Sequence, residues 1–262
     1  MTTATWKIIE KWKEKPQGQV WRVEDGHGRK GFFKFAYATQ WYDAGPIAGN
    51  EWIAKKFADK LGLPAADVEL ASVVDQGKTL PGIVSLPKTG VTLTNWSRLP
   101  DSVKHHMEDH VCHADLLTGT IVFDAWLTNI DRASGKNIIL YDGQAVCLEW
   151  YLIDHGYALY GCPRKWADHD LGSPYWNDVW RFYHVPRGFL RMATRGSIYR
   201  MVDRIQALKD DEIRSIIKSV PDPLYDKQLQ VKTISLLLDR KQNLYNIMNS
   251  WLSYTGEKES SW

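Results

Sequence analysis

The spacing of apolar residues changes once along this chain, from strand-like alternation in the first third to a helical period in the rest. Four segments of the first third have the alternating or short apolar pattern of strands: 19–24, 31–36, 68–74 and 82–86. One helix is predicted among them, over 46–61, because apolar residues recur there at steps of three and four. Gly62 then follows at the position that C-cap glycines prefer.

Beyond residue 90 the predicted elements are mainly helices, with two short strands among them: helices over 102–127, 198–208, 211–218 and 225–252, and strands over 138–141 and 151–153. Because strands and helices are segregated and no βαβ alternation is present, we predict an α+β fold. A turn at 87–90 would divide it into an N-terminal lobe, residues 1–87, and a larger helical lobe, residues 88–262. The N-terminal lobe would hold a small antiparallel sheet and one helix.

Charge and hydropathy exclude some classes of partner. The chain has 262 residues and a net charge of +2, which is too small to indicate a nucleic-acid or membrane partner. No apolar run reaches the roughly 18 residues of a membrane-spanning helix, and the first residues lack the apolar core of a signal peptide. We therefore expect a soluble, cytoplasmic protein.

The three cysteines, Cys112, Cys147 and Cys162, are far apart, and none forms a CxxC pair. This spacing favours reduced thiols over a disulfide framework or a zinc ribbon.

The segment most typical of chemistry runs from 123 to 154. A predicted helix ends there in a polar loop that holds Asp131 and Asn137, and a later strand leads into Asp154-His155-Gly156. Phosphoryl transfer needs a carboxylate near the attacking hydroxyl, oxygen ligands for Mg²⁺ and a cation on the phosphates. The segment offers the first two, although each short match alone is also typical of an ordinary turn.

The order Asp131-Arg132, Asn137, a strand pair and Asp154-x-Gly156 resembles the HipA-like kinases, the phosphoinositide kinases and the actin-fragmin-type kinases. The resemblance implies a two-lobed, protein-kinase-like fold that binds ATP and Mg²⁺. It implies that Asp131 is the catalytic carboxylate and that Asn137 and Asp154 bind the metal. The family usually spaces the first aspartate and the asparagine by five residues and this chain by six, so Gly135 is expected to absorb the extra residue.

The predicted cation is Lys34, in the middle of a strand. The helix after it ends in Leu-Gly-Leu-Pro, as in HipA-like proteins, where an early glutamate pairs with the strand lysine. On that resemblance Lys34 binds the nucleotide phosphates and Glu51 is its ion-pair partner. The alternatives are a solvated lysine on the outer face of the sheet and a glutamate favoured by the helix dipole.

Two other patterns are interpreted as structural. Residues 26–31 match G-x-G-x-x-G, but a strand follows them rather than a helix, which predicts a hairpin turn. Residues 13–19 are better placed to cover phosphates. On a long helix His106 and His110 would share one face and Asp109 and His113 another, as metal ligands can, yet a solvated face is the preferred interpretation.

Aromatic and basic residues follow Asp154 in three clusters: 160–166, 173–176 and 179–183. They could form a platform for the phosphate acceptor, or they could pin an irregular loop to the helical lobe. The overall expectation is an ATP-dependent kinase that phosphorylates a hydroxyl, favoured by family analogy to be a Ser or Thr of a protein substrate. The alternatives are a lipid or small-molecule kinase and an inactive nucleotide-binding or protein-binding module.

Overall fold

The protein is described by a computed structural model over residues 4–13, 15–143, 146–159, 161–167, 169–170, 173–180, 183–186 and 188–259. Five strands form the first sheet: β1 (Ala4–Lys11), β2 (Gln19–Glu24), β3 (Lys30–Phe35), β4 (Asp67–Asp75) and β5 (Lys78–Leu86). The four predicted strands are present as β2 to β5, and β1 is an additional one.

This sheet closes on itself. The strand order is β1-β2-β3-β5-β4, and β4 pairs with β1 in parallel. Closure removes the free edges that an open sheet exposes. Its interior holds mainly aromatic and β-branched side chains, and the rings of Trp21 and Phe35 meet edge to face at 4.7 Å.

The G-x-G-x-x-G motif at residues 26–31 spans the β2–β3 connection and the start of β3. The carboxylate of Asp25 accepts hydrogen bonds from the backbone N–H groups of His27 and Arg29, both at 2.9 Å, and this closes a tight turn. The strands on either side pair antiparallel from Glu24 with Lys30 onward. The predicted hairpin turn is therefore confirmed.

Two helices follow β3: α1 (Trp41–Ala44), after a 3-10 turn at Ala38–Gln40, and α2 (Ile47–Leu61). Gly62 has a left-handed φ of 67° and ends α2 where the sequence predicts. The inner face of α2 packs on the second lobe, where Phe57 meets Trp126 edge to face at 4.7 Å.

The second lobe is mainly helical around a three-stranded antiparallel sheet: β6 (Leu93–Asn95), β7 (Ile138–Tyr141) and β8 (Glu149–Leu152). Its helices are α3 (Asp101–His105), α4 (Met107–His110), α5 (Ala114–Thr118), α6 (Thr120–Leu127), α7 (Pro163–Trp166), α8 (Tyr175–Val179), α9 (Phe189–Met192), α10 (Arg195–Gln206), α11 (Asp210–Lys218) and α12 (Lys227–Glu259), with a 3-10 turn at Trp96–Arg98. The predicted α+β class, with a sheet-rich N-terminal and a helical C-terminal part, is confirmed.

The single helix predicted over 102–127 is wrong, because four short helices, α3 to α6, occupy it. The backbone near 111 pairs across to the β7–β8 connection instead of continuing a helix. The Cys112 N–H donates to the Leu148 carbonyl at 2.9 Å, and the Leu148 N–H donates to the His110 carbonyl at 2.8 Å. His113 then has a left-handed φ of 53°.

The break also removes the helix faces predicted for the histidines. His106 and Asp109 are exposed, as expected for a solvated surface.

Among the helices that the structure describes, none combines the length and apolar character required to cross a bilayer.

The prediction of three reduced thiols is wrong as well. Cys112 and Cys147 form a disulfide, and Cys162 is a free, buried cysteine. The same backbone bonds that break the helix explain the pairing, since they bring the two cysteines side by side although 35 residues separate them in sequence.

We predict that this disulfide stabilises the protein. Closing a loop of this length contributes roughly 3–4 kcal/mol through the unfolded state. The double variant Cys112→Ser/Cys147→Ser should therefore melt roughly 10 °C below the oxidised wild type. Reductant should lower the Tm of the wild type and leave that of the double variant unchanged. Three free thiols in unreduced, denatured wild-type protein, in place of one, would contradict the bond.

Candidate active site

Lys34 joins three elements of the fold. Its ammonium on β3 pairs with the carboxylate of Glu51 on α2, and it donates to Asp154 Oδ1 at 3.0 Å in the segment after β8. The residue is only 9% exposed, because α2 covers that face of the strand. The alternative of a solvated lysine on the outer face is therefore wrong.

Lys34 and Glu51 each stabilise the charge of the other. Burial by itself would lower the pKa of Lys34, but the adjacent carboxylates of Glu51 and Asp154 outweigh it, and the pKa is raised. Burial would likewise raise the pKa of Glu51, whereas the charge of Lys34 lowers it well below its ordinary value. Lysine and glutamate are thus both ionised at neutral pH.

The segment that begins at Asp154 is fixed against α2. Asn50 donates from Nδ2 to the carbonyls of Gly156 and Ala158, both at 2.9 Å. His155 is buried, and its Nδ1 lies 3.6 Å from Glu51 Oε2. Asp154 itself has a left-handed φ of 58°, an unusual conformation for a residue other than glycine. These contacts aim its carboxylate at the cleft between the lobes.

The loop between α6 and β7 brings Asp131 and Asn137 together. Asn137 donates from Nδ2 to the backbone carbonyl of Asp131 at 2.8 Å and to its Oδ2 at 3.1 Å. Gly135 allows the six-residue spacing, since it has a left-handed φ of 69° and packs on Trp96. A Cβ atom at Gly135 would lie 2.7 Å from the indole.

A buried charge network holds this loop from behind, and the sequence did not single it out. The Arg132 guanidinium donates to both carboxylate oxygens of Asp124, from Nε at 2.9 Å and from Nη2 at 3.2 Å. Its Nη1 donates to the carbonyls of Asn137 at 2.7 Å and Ile153 at 3.2 Å. Arg132 and Asp124 are at most 1% exposed. An aspartate within the apolar run of α6 was the signal that could have indicated it.

Asp131 lies on the open side of the same loop, and the residue is exposed. Partial burial of its carboxyl group, followed by the negative charge of Asp154, raises its pKa above the ordinary value. Lys165 on α7 is half-buried, with its ammonium 5.3 Å from the centroid of the Tyr157 ring, and it acts electrostatically on Asp131. Burial lowers the pKa of this ammonium.

A cavity of about 440 Å³ opens beside Lys34 and Asp154. Its far walls are mostly apolar side chains from both lobes: Val20, Phe32, Leu86, Ile139, Tyr151 and Ile153. This volume falls within the range of small-molecule and cofactor sites, which are apolar with a few polar groups at one end. The β1–β2 connection also contributes to the lining, through Lys13, Lys15 and Gly18.

Some aromatic residues after Asp154 are buried and others are exposed, so they differ in whether they fit a loop pinned to the helical lobe or an acceptor platform. Trp176 and Trp180 are buried against the helical lobe, which agrees with a pinning role, whereas Tyr175 is exposed. Arg164 lies 3.3 Å from Asp43 and ties α7 to α1. Of the residues considered for the acceptor platform, those at 160, 181 and 182 lie outside the described residues.

The oxygen donors of the site fit a divalent metal such as Mg²⁺. Asp154 offers a carboxylate, and Asn137 offers its amide oxygen because the amide nitrogen is the atom that donates to Asp131. Hard oxygen donors of this type suit Mg²⁺.

Comparison with known proteins agrees with this geometry. Residues 46–169 match the family model of the HipA-like kinases, a span that includes Glu51, Asp131, Asn137 and Asp154. The resemblance seen in the sequence is thereby confirmed. No characterised protein matches the sequence significantly.

Solved structures show the fold. The Helicobacter pylori proinflammatory kinase CtkA aligns with a TM-score of 0.59 and 14% identity, covering 97% of this chain and 98% of that one. The Golgi casein kinase with Mn/ADP bound aligns with a TM-score of 0.54 and 12% identity, covering 97% of this chain and 74% of that one. At these identities the likeness establishes the two-lobed, kinase-like fold.

We predict that Arg132→Met lowers the free energy of unfolding by about 3–5 kcal/mol, because it leaves the carboxylate of Asp124 buried without its counter-charge. The double variant Asp124→Leu/Arg132→Met should recover part of that loss, since no lone charge remains. Urea denaturation measures both.

The control is Asp115→Asn, which removes an exposed pair with Arg200 at 3.6 Å and should change stability by less than about 1 kcal/mol. Equal stability of Arg132→Met and the control would show that the buried pair does not hold the loop.

Proposed function

We propose that this protein is an ATP-dependent kinase that transfers the γ-phosphate of ATP to a hydroxyl group, with a Ser or Thr of a protein as the acceptor. The HipA-like family match and the kinase-like fold support a phosphotransferase. The observation that carries the proposal is the Lys34 ammonium bonded to both Glu51 and Asp154 at the polar end of the cavity.

Each residue has a role that follows from its position. Lys34, oriented by Glu51, binds the phosphates, and the apolar end of the cavity holds the base. Asn137 and Asp154 bind Mg²⁺, which when present neutralises charge on the transferring phosphoryl group. Asp131 orients the acceptor hydroxyl and takes its proton as the oxygen bonds to the γ-phosphorus, while the bond from that phosphorus to the β–γ bridging oxygen breaks and ADP leaves. The Golgi casein kinase solved with Mn and ADP supports nucleotide and divalent metal as the cofactors.

In this proposal, residues 1–87 form the lobe that binds the nucleotide. Residues 88–262 form the lobe that carries Asp131 and the acceptor surface. The location remains a prediction. The sequence predicts a cytoplasmic protein. The disulfide between Cys112 and Cys147, in contrast, is more typical of a protein in an oxidising compartment.

An inactive nucleotide-binding module is the second candidate, and the six-residue spacing between Asp131 and Asn137 is the feature that favours it. The left-handed Gly135 accommodates that spacing and leaves the two side chains bonded. We therefore place an active kinase first. A lipid or small-molecule acceptor is distinguished by the acceptor assay below.

Binding of Mg·ATP should raise the melting temperature of the wild type. At about 100 times its Kd a ligand stabilises a protein by roughly 2.7 kcal/mol, which for this chain length corresponds to roughly 5–10 °C. The shift should require Mg²⁺ and be absent in Asp154→Ala.

Asp170→Ala is the matched control, because its side chain is 82% exposed and it is not among the residues that line the cavity. It should keep the full shift. A wild type that does not respond to millimolar Mg·ATP would contradict the proposal.

Turnover should depend on Asp131 and binding should not. Asp131→Asn should keep the Mg·ATP shift and lose about 10²–10⁴-fold in rate, because the variant cannot take the proton of the acceptor. The assay follows labelled γ-phosphate into three acceptor pools: a Ser/Thr peptide library, phosphoinositide vesicles and small polyols.

Label found only in peptides supports a protein acceptor. Label found in vesicles or polyols would show that the acceptor is a lipid or a small molecule instead. Binding of ATP with no transfer to any pool, or to the protein itself, favours the inactive module.

A further inference from the structure

The connection between β1 and β2 contributes two lysines to the lining of the cavity. Lys13 and Lys15 are both exposed, and they line the same cavity as Lys34 and Asp154. Glu14, between them, lies outside the described residues. In protein kinases the corresponding connection is a glycine-rich loop that covers the phosphates.

Two backbone positions of this turn are unable to donate to a phosphate. Backbone N–H groups must converge on the anion to form such a cradle. Here Pro16 has no N–H, and the N–H of Gly18 donates to the Lys15 carbonyl at 3.2 Å within the turn. The positive groups that the turn offers to the cavity are lysine side chains.

The turn is also fixed in place. Gly18 has a φ of 108°, and a Cβ atom there would lie 2.4 Å from the side chain of Ile47, at the start of α2. The Lys15 carbonyl accepts a hydrogen bond from Gln40 Nε2 at 2.8 Å. Ile47 in turn borders Gly156, two residues after Asp154, so the turn is held beside the segment proposed to bind the metal.

Charge balance calls for further cations at this end of the cavity. Lys34 is already paired with two carboxylates, and Asp131 adds a third whose charge Lys165 opposes, so the groups around the proposed phosphate site keep a net negative charge. One Mg²⁺ would balance the protein groups but not the roughly four negative charges of a nucleotide triphosphate. Lys13 and Lys15 are the additional positive charges among the cavity residues.

We propose that Lys13 and Lys15 bind the nucleotide phosphates through their ammonium groups, in place of the backbone amides of a glycine-rich loop. This inference rests on the proposed function and assigns two further binding residues to it. Lys15 lies in the turn, Lys13 follows the end of β1, and both line the cavity. Both act on the phosphates and neither acts on the base.

Calorimetric titration tests this with the full chain, Mg²⁺ and three probes: ATP, ADP and adenosine. Lys13→Gln/Lys15→Gln should weaken ATP by about tenfold, the scale of two exposed charge pairs. ADP should weaken less, and adenosine should bind as to the wild type. Lys13→Arg/Lys15→Arg should restore ATP affinity, and the difference between the glutamine variant and the wild type should shrink as salt increases.

Lys78→Gln is the control, because Lys78 is an exposed lysine on β5 outside the cavity and should leave all three affinities unchanged. A glutamine variant that binds ATP like the wild type would overturn the inference and leave the proposed function intact. An equal loss for ATP and adenosine would also overturn it, since that pattern reports a structural role of the turn. A wild type that binds adenosine and ATP equally weakly, or not at all, would contradict the proposed function itself.

Discussion

The buried ammonium of Lys34 is the interaction on which the arrangement of this protein depends. A lone charge in that position would cost several kcal/mol, and the two carboxylates around it offset this only when β3, α2 and the segment after β8 are all in place. The group therefore couples the sheet lobe to the helical lobe. It also explains why a strand with phenylalanines on both sides of a lysine is buried on both faces.

A second buried pair fixes the other half of the site. Arg132 and Asp131 are neighbours in sequence that face opposite ways. The arginine is enclosed with Asp124 and binds the carbonyls of Asn137, at the end of the loop, and of Ile153, after β8, whereas the aspartate is exposed. Because Arg132 reaches the carbonyls of both Asn137 and Ile153, it also sets the distance between the two residues proposed as metal ligands. The geometry of the exposed groups thus depends on charges that solvent does not reach.

Three of the positions with a positive φ hold parts of the proposed site. Asp154 and Gly135 adopt left-handed backbone conformations, and Gly18 allows the β1–β2 turn to lie directly on α2. Each is held by contacts with another element, which is the condition under which such conformations persist. Gly18 and Asp154 line the cavity, whose apolar end lies between the sheets of the two lobes.

The sequence by itself determined the elements whose signals are local. Alternation over 19–24 and 31–36, the turn residues between them and the C-cap at Gly62 depend on neighbours a few positions away, and all are present in the structure. The residue types needed for phosphoryl transfer, with their order along the chain, were also readable.

Only the tertiary structure decided the contacts between distant segments. Lys34 and Asp154 are 120 residues apart, and no local period encodes their meeting. The helix predicted over 102–127 is interrupted because backbone groups of His110 and Cys112 form hydrogen bonds with Leu148. The same pairing places Cys112 beside Cys147. Helical periodicity describes what a segment does alone. Hydrogen bonds to another segment compete with the hydrogen bonds of a local helix. Which of the two sets forms depends on the packing of the whole chain.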